Sequence, residues 1–173
     1  MRISLKPIGT IDNEIVEVLK QRLQKTFGCP IEISPQTNDL KYAFDQRRRQ
    51  YLASAFLTKL EKMDRAKDEK VLGIVDADLY VPGLNFVFGQ ANISSGVAII
   101  ALLRLREEYY GLPQNQAAFF DRLTKEAVHE LGHTFGLEHC TESRCVMHFS
   151  NSLQDTDLKQ AAFCSQCRPK LIK

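Results

Sequence analysis

The chain has 173 residues, of which 44% are apolar and 25% charged, the size and make-up of one globular domain with one sizeable core. Its formal net charge of +2 is too small to argue for a nucleic-acid or anionic-membrane partner, and neither half is strongly basic. No apolar run reaches the roughly 18 residues of a membrane span, and MRISLKPIGTID lacks the apolar core of a signal peptide. A cytoplasmic monomer is expected.

Residues 3–9 (ISLKPIG) alternate and end in turn residues, which reads as a strand. Asp12 is placed to cap a helix to about Phe27, with Ile15, Val18, Leu19 and Leu23 on one face and Gly28 and Pro30 to stop it. Residues 31–33 read as a short strand. A long polar helix is expected over about 39–64, its buried stripe made by Phe44, Leu52, Phe56, Leu57 and Leu60. The only dense basic run, Arg47, Arg48 and Arg49, then falls on a solvated helix face. Residues 71–80 have the β-branched enrichment of a buried strand, and two more strands are expected over 84–91 and 96–106, with NISS as the turn between them. Helices and strands alternate early and strands then follow one another, so the fold class is α/β or α+β around a mixed sheet.

Phe119, Leu123, Ala127, Leu131 and Phe135 recur at steps of four, which predicts a helix over 115–135 with Asn115 as its cap and Gly136 as its terminator. Beyond it the chain is turn-rich and cysteine-bearing, with one short helix over about 153–163 begun by Ser152. A single domain is expected, its main part spanning 1–136 and a small C-terminal lobe spanning 137–173.

The chemistry concentrates in HELGHTFGLEHCTESRCVM, residues 129–147. His129 and His133 are four apart, so a helix sets both imidazoles on one face, a turn apart, as two ligands of one zinc ion. Glu130 lies beside the first and can reach a water on that ion. Gly136 lets the chain leave the helix through a left-handed turn, so that His139 can fold back as the third ligand. A fourth position left open for water marks a catalytic site: zinc brings that water to a pKa of about 7, and Glu130 takes its proton as it attacks a peptide carbonyl. The string HExxHxxGxxH arises by chance in such a chain with odds on the order of 10⁻⁵.

Cys140 follows His139 directly, and neighbours in an extended segment point to opposite sides, so the two serve different sites. Cys140 and Cys145, then Cys164 and Cys167, are two short-spaced pairs that fit a closed, structural four-thiolate zinc site. Two disulfides, or a redox CxxC, are the alternatives, which a reducing compartment disfavours. Cys29 has no partner nearby and reads as a buried free thiol. Met147 can pack beneath the zinc ligands as a polarizable floor.

The long histidine motif with a methionine shortly downstream is the metzincin pattern. With CxxxxCxM after the third histidine and a distant CxxC, the last quarter of the chain resembles the archaemetzincins, small metzincin-type metallopeptidases. The resemblance rests on His129, Glu130, His133, Gly136, His139, Cys140, Cys145, Met147, Cys164 and Cys167. It implies a twisted mixed β-sheet over two long helices with a substrate cleft above the active-site helix. It further implies catalytic zinc on the three histidines, Glu130 as general base and acid, Met147 as the Met-turn, and a second zinc on the four cysteines. Members of that family are assigned as peptidases or aminopeptidases, and no particular substrate comes with the likeness. Several other metzincins carry a tyrosine two residues past that methionine; here the position is Phe149, with His148 before it, so no phenol can act there.

A peptide or protein substrate needs an exposed edge strand for its backbone. Residues 83–88, including Gly83, Asn85 and Phe86, are the candidate edge, and His148 and Phe149 the candidate wall of the pocket after the scissile bond. The rival reading is a non-catalytic zinc protein that binds a partner through its cysteine lobe. A nucleic-acid-binding zinc ribbon lacks the basic and aromatic surface it would need.

Overall fold

The structure is a computed structural model and describes residues 2–66 and 68–172. In chain order its elements are β1 (Arg2–Ile8), α1 (Asn13–Phe27), β2 (Ile31–Ile33), β3 (Phe44–Asp45), β4 (Gln50–Leu52), α2 (Ala53–Glu61), β5 (Glu69–Val75), β6 (Leu79–Tyr80), β7 (Gly89–Asn92), β8 (Val97–Ala101), α3 (Gln116–Thr134) and α4 (Leu153–Leu158). The main sheet runs β2-β1-β5-β8-β7 and a small sheet runs β3-β4-β6. In the main sheet β2, β1, β5 and β8 are parallel, while β7 pairs antiparallel with β8 and forms one edge.

The three central strands are covered on both faces, which is why they read as apolar runs rather than as clean alternation. On one face Ile3, Leu5, Leu72, Ile74 and Ile100 pack against Leu19 and Leu23 of α1 and Leu123, Ala127 and Val128 of α3. On the other, Val71, Val75, Val97 and Ile99 pack against Phe56, Leu57 and Leu60 of α2. Both long helices begin at side-chain caps: Asp12 accepts from the Glu14 N–H at 2.9 Å, and Asn115 from the Ala118 N–H at 3.0 Å. The mixed sheet with its two long helices is the metzincin-like architecture that the motif implied.

Several elements differ from expectation. The long helix over 39–64 is not formed: only Ala53–Glu61 is α-helical, and Lys41–Ala43 makes a single 3-10 turn. Before it a hairpin turn intervenes, because the Asp45 carboxylate accepts from the Arg47 and Arg48 N–H groups at 2.9 and 3.1 Å and Arg49 takes a left-handed φ of 58°. The three arginines are therefore on a turn, not a helix face, and Arg48 donates to the carbonyls of Leu84 and Asn85 at 3.0 and 3.1 Å. The strand over 71–80 breaks after Val75, where Asp76 and Asp78 turn aside to pair with Arg106 and Arg104 at 2.7 and 2.5 Å, and Leu79–Tyr80 joins the small sheet. The strand over 84–91 is confined to Gly89–Asn92, the strand over 96–106 ends at Ala101 and gives way to 3-10 turns, and the last short helix ends at Leu158. Cys29 is half-buried rather than buried, and burial pushes its thiol up. Among the described residues no helix is long and apolar enough to cross a membrane.

Candidate active site

α3 is buried along most of its length, and its C-terminal half carries the chemistry. His129 and His133 sit one turn apart with their Nε2 atoms 3.1 Å from each other. Each Nδ1 meets a backbone carbonyl at 2.7 Å, Val146 for His129 and Leu137 for His133, which fixes the proton on Nδ1 and leaves the Nε2 lone pair free. The Leu137 carbonyl is within reach because the helix ends in a paired cap: the Leu137 N–H donates to Gly132 at 3.1 Å and the Gly136 N–H to His133 at 2.9 Å. That cap needs a left-handed residue, and Gly136 supplies it at φ 87°.

The same turn returns His139 to the first two, so that the three ligand atoms all lie within 4.8 Å of one another. A tetrahedral zinc with bonds of about 2.0–2.1 Å sets its nitrogens about 3.4 Å apart, so the trio fits the ion. Exposure rises from His129, buried, through His133, half-buried, to His139, exposed, as suits a site with a floor and a mouth. Burial is the main reason that all three imidazoles are held below their ordinary value, His129 most strongly, so they are neutral donors.

Glu130 is 6% exposed and lies against the edge strand. A Cβ at Gly89 would fall 2.6–2.8 Å from the Glu130 Cγ, Oε1 and Cδ atoms, so the strand touches this carboxylate only because residue 89 has no side chain. Burial raises the Glu130 carboxyl well above the usual carboxylate range, Glu126 adds to the rise, and the Lys159 ammonium opposes it. Glu126 and Lys159 form an ion pair at 2.9 Å, both nearly sealed from solvent; Thr156 also donates to Glu126 at 3.1 Å, and Lys159 to the His148 carbonyl at 3.4 Å.

Met147 is fully buried under α3, its sulfur in the space a Cβ would take at Gly132. The turn around it is closed by the His148 N–H on the Cys145 carbonyl, and the Cys140 N–H donates to the Met147 carbonyl, both at 2.9 Å. The four sulfurs of Cys140, Cys145, Cys164 and Cys167 form the second cluster, also within 4.8 Å of one another. Cys140 Sγ is 3.8 Å from Cys164 Sγ, far beyond a disulfide bond but equal to the roughly 3.8 Å edge of a zinc–thiolate tetrahedron. Burial opposes ionisation of Cys164, yet the N–H groups of Cys167 and Gln166 and the neighbouring sulfurs outweigh it and hold that thiol below its ordinary value.

The histidines and Glu130 open into a cleft of about 340 Å³. Phe86 and Phe149 line it; Gly83, Asn85 and His148 lie outside that lining, and the His148 Nδ1 is engaged by the Cys140 carbonyl at 2.9 Å. Residues 83–88 run as a rim loop touching Leu79 through Val87, and the free edge of the sheet begins at Gly89. Sequence reasoning missed Gly89, whose signal was a glycine inside an apolar strand pattern. It also missed the Glu126–Lys159 pair, of which only the four-residue step from Glu126 to Glu130 was visible.

A mixed sheet whose edge strand overlies a helix that carries two imidazoles, with a third converging on them from the turn beyond and a buried methionine turn below, defines the class: zinc metallopeptidases of the metzincin type. The chain belongs to peptidase family M54, whose model matches residues 8–173. It is 42% identical over 171 residues to the archaemetzincin of Methanocaldococcus jannaschii, covering 99% of this chain and 93% of that one. To the archaemetzincin of Pyrococcus furiosus it is 43% identical over 175 residues, covering 98% and 91%. Among solved structures, a zinc-dependent peptidase from Methanocorpusculum labreanum matches with a TM-score of 0.90 at 32% identity, covering 98% of this chain and 99% of that one. The archaemetzincin of Archaeoglobus fulgidus, solved with malonate, matches with a TM-score of 0.85 at 36% identity and the same coverage.

Proposed function

We propose that the chain is a zinc-dependent peptidase in which His129, His133 and His139 hold the catalytic zinc and Glu130 serves as general base and acid. The observation that carries this reading is the convergence of three neutral imidazoles beside one buried carboxylate at the floor of a cleft. When bound, zinc acidifies water and polarises a peptide carbonyl. Glu130, held against Gly89, takes the proton of the attacking water and delivers it to the departing amine. Its raised affinity for a proton suits both halves of that transfer. Cys140, Cys145, Cys164 and Cys167 would hold a second, structural zinc, tying the segment after α3 to the segment that carries Cys164 and Cys167.

An extended peptide or protein segment is the substrate. The Phe88 carbonyl accepts from the Ala101 N–H at 2.8 Å, so alternation along the antiparallel ladder turns the backbone groups of Gly89 and Ala91 outward over the cleft. A substrate backbone can add there as a further strand, beside Glu130.

Metal analysis should return close to two zinc per chain. Glu130→Ala should abolish cleavage of a mixed peptide library, a loss of at least about 10³-fold, while both zincs stay bound. Hydrolysis that survives this change overturns the role given to Glu130; a fully metallated chain that cleaves no peptide favours a zinc protein that only binds.

A further inference from the structure

A second cavity, of about 520 Å³, opens off the catalytic cleft and shares Phe86 and Asn151 with it. It lies upstream on both elements that frame the site. On the rim it is reached by moving from Gly89 back to Phe86, and on α3 by moving from Glu130 back to Arg122, eight residues or about 12 Å along the helix. Nothing so far assigns this space a role.

Its charged walls are already satisfied. The Arg122 guanidinium donates to both oxygens of Asp157 at 2.7 Å, to Glu107 at 2.9 Å and to the Leu105 carbonyl at 3.2 Å. Arg104 forks onto Asp78 at 2.5 and 2.7 Å and lies over the Phe86 ring at 4.3 Å. Among the described residues that line the cavity no cation is left to capture a substrate carboxylate, and the acidic oxygens repel one. Besides the neutral polar side chains of Asn151, Ser152 and Gln154, the lining offers apolar surface: Tyr110 is 44% exposed and Leu112 54% exposed, with Leu153 half-buried.

Direction follows from the sheet edge. Antiparallel addition is the more stable pairing per residue, and a peptide antiparallel to β7 runs toward its own C-terminus as it passes from Gly89 to Phe86. A span of about 12 Å is three to four residues of extended chain. We infer that this cavity is a remote substrate subsite that takes an apolar side chain three or four residues to the carboxyl side of the scissile bond. It rests on the peptidase reading above and deepens it: the preferred substrate extends well past the cut and continues there as internal sequence, not as a free C-terminal carboxylate.

The test uses the full zinc-loaded chain. Cut sites are first mapped in a mixed peptide library, and one cleaved sequence is then remade in pairs that differ only by Leu or Ser at the third and fourth positions after the cut. The Leu peptides should be cleaved with a kcat/KM on the order of tenfold above the Ser peptides, chiefly through KM. In Tyr110→Ser/Leu112→Ser that ratio should fall to near one, and Leu112→Asp, a single change at the more exposed site, should shrink it as well. A ratio near one in the unaltered chain, or one that survives both variants, overturns the subsite while leaving the peptidase reading intact. A library left uncut by the fully metallated chain overturns that reading and the subsite with it.

Discussion

The two candidate metal centres lie end to end in the chain, His139 next to Cys140, yet they are built in opposite ways. The histidines depend on regular structure: two project from one long helix at its natural repeat, and the third arrives through a hydrogen-bonded helix cap. That helix is packed into the core by Leu123, Ala127, Val128 and Leu131, none of which touches solvent. The cysteines come from turns. Only a few backbone bonds hold the two cysteine pairs together, such as Val146 N–H to the Ala162 carbonyl at 3.0 Å and Gln160 N–H to the Arg144 carbonyl at 2.9 Å. The difference teaches that the open site is presented by a scaffold, whereas the closed site is itself part of one.

The strongest way to break this comparison is to empty each site in turn. Cys167→Ser, at a buried thiol, should cost one zinc and roughly 5 kcal/mol or more of stability, lowering Tm by about 10–20 °C. His139→Ala, at an exposed imidazole, should also cost one zinc and nearly all activity, yet move Tm by no more than about 4 °C. Zinc counting with thermal unfolding reads both. Equal losses of stability would show that the histidine scaffold needs its metal too.

The Glu126–Lys159 pair is the bolt between the two regions, because Glu126 lies on α3 and Lys159 lies between the cysteine pairs. Lys159→Met strands a carboxylate inside the protein and should destabilise it by about 3–5 kcal/mol, measured by denaturant unfolding. Adding Glu126→Gln should recover most of that loss, since the glutamine amide can still accept from Thr156. If the double variant is as unstable as the single one, the charge is not what joins the regions.

How far this was legible follows the same division. HExxHxxGxxH could be read because its geometry is local: a helix repeat and a glycine turn place three side chains without reference to the rest of the fold. The capped helices, α1 and α3, were legible from Asp12 and Asn115 for the same reason. The cysteine cluster was legible only as spacing. What failed was non-local. Phe44, Leu52, Phe56 and Leu60 mimic a helical stripe, but the Asp45 turn and the pairing of β4 with β6, distant in sequence, break it after Phe44. The expected free edge, starting at Gly83, lies six residues before the observed one, because a strand's limits depend on its neighbour, here the Phe88 to Ala101 bond that begins the β7–β8 ladder. Lys159 gave no sign at all of being buried, since a lysine in a polar stretch is ordinarily solvated.

Gly89 offers the finest test of the scaffold half of the comparison, because it alters neither a ligand nor a charge. Gly89→Ala sets a methyl group 2.6 Å from the Glu130 Cγ atom and 2.7 Å from Oε1. The strand is anchored to β8 and the helix to the core, so the side chain of Glu130 is what gives way. If Glu130 has the role proposed for it, its displacement by about 1 Å should lower kcat roughly 10- to 100-fold with KM little changed. Two zincs should remain, and Tm should shift by only about 2–4 °C, since Ala also restricts the unfolded chain. An unchanged kcat would mean that Glu130 does not work from the place where the edge strand holds it, and the scaffold would then position the zinc alone.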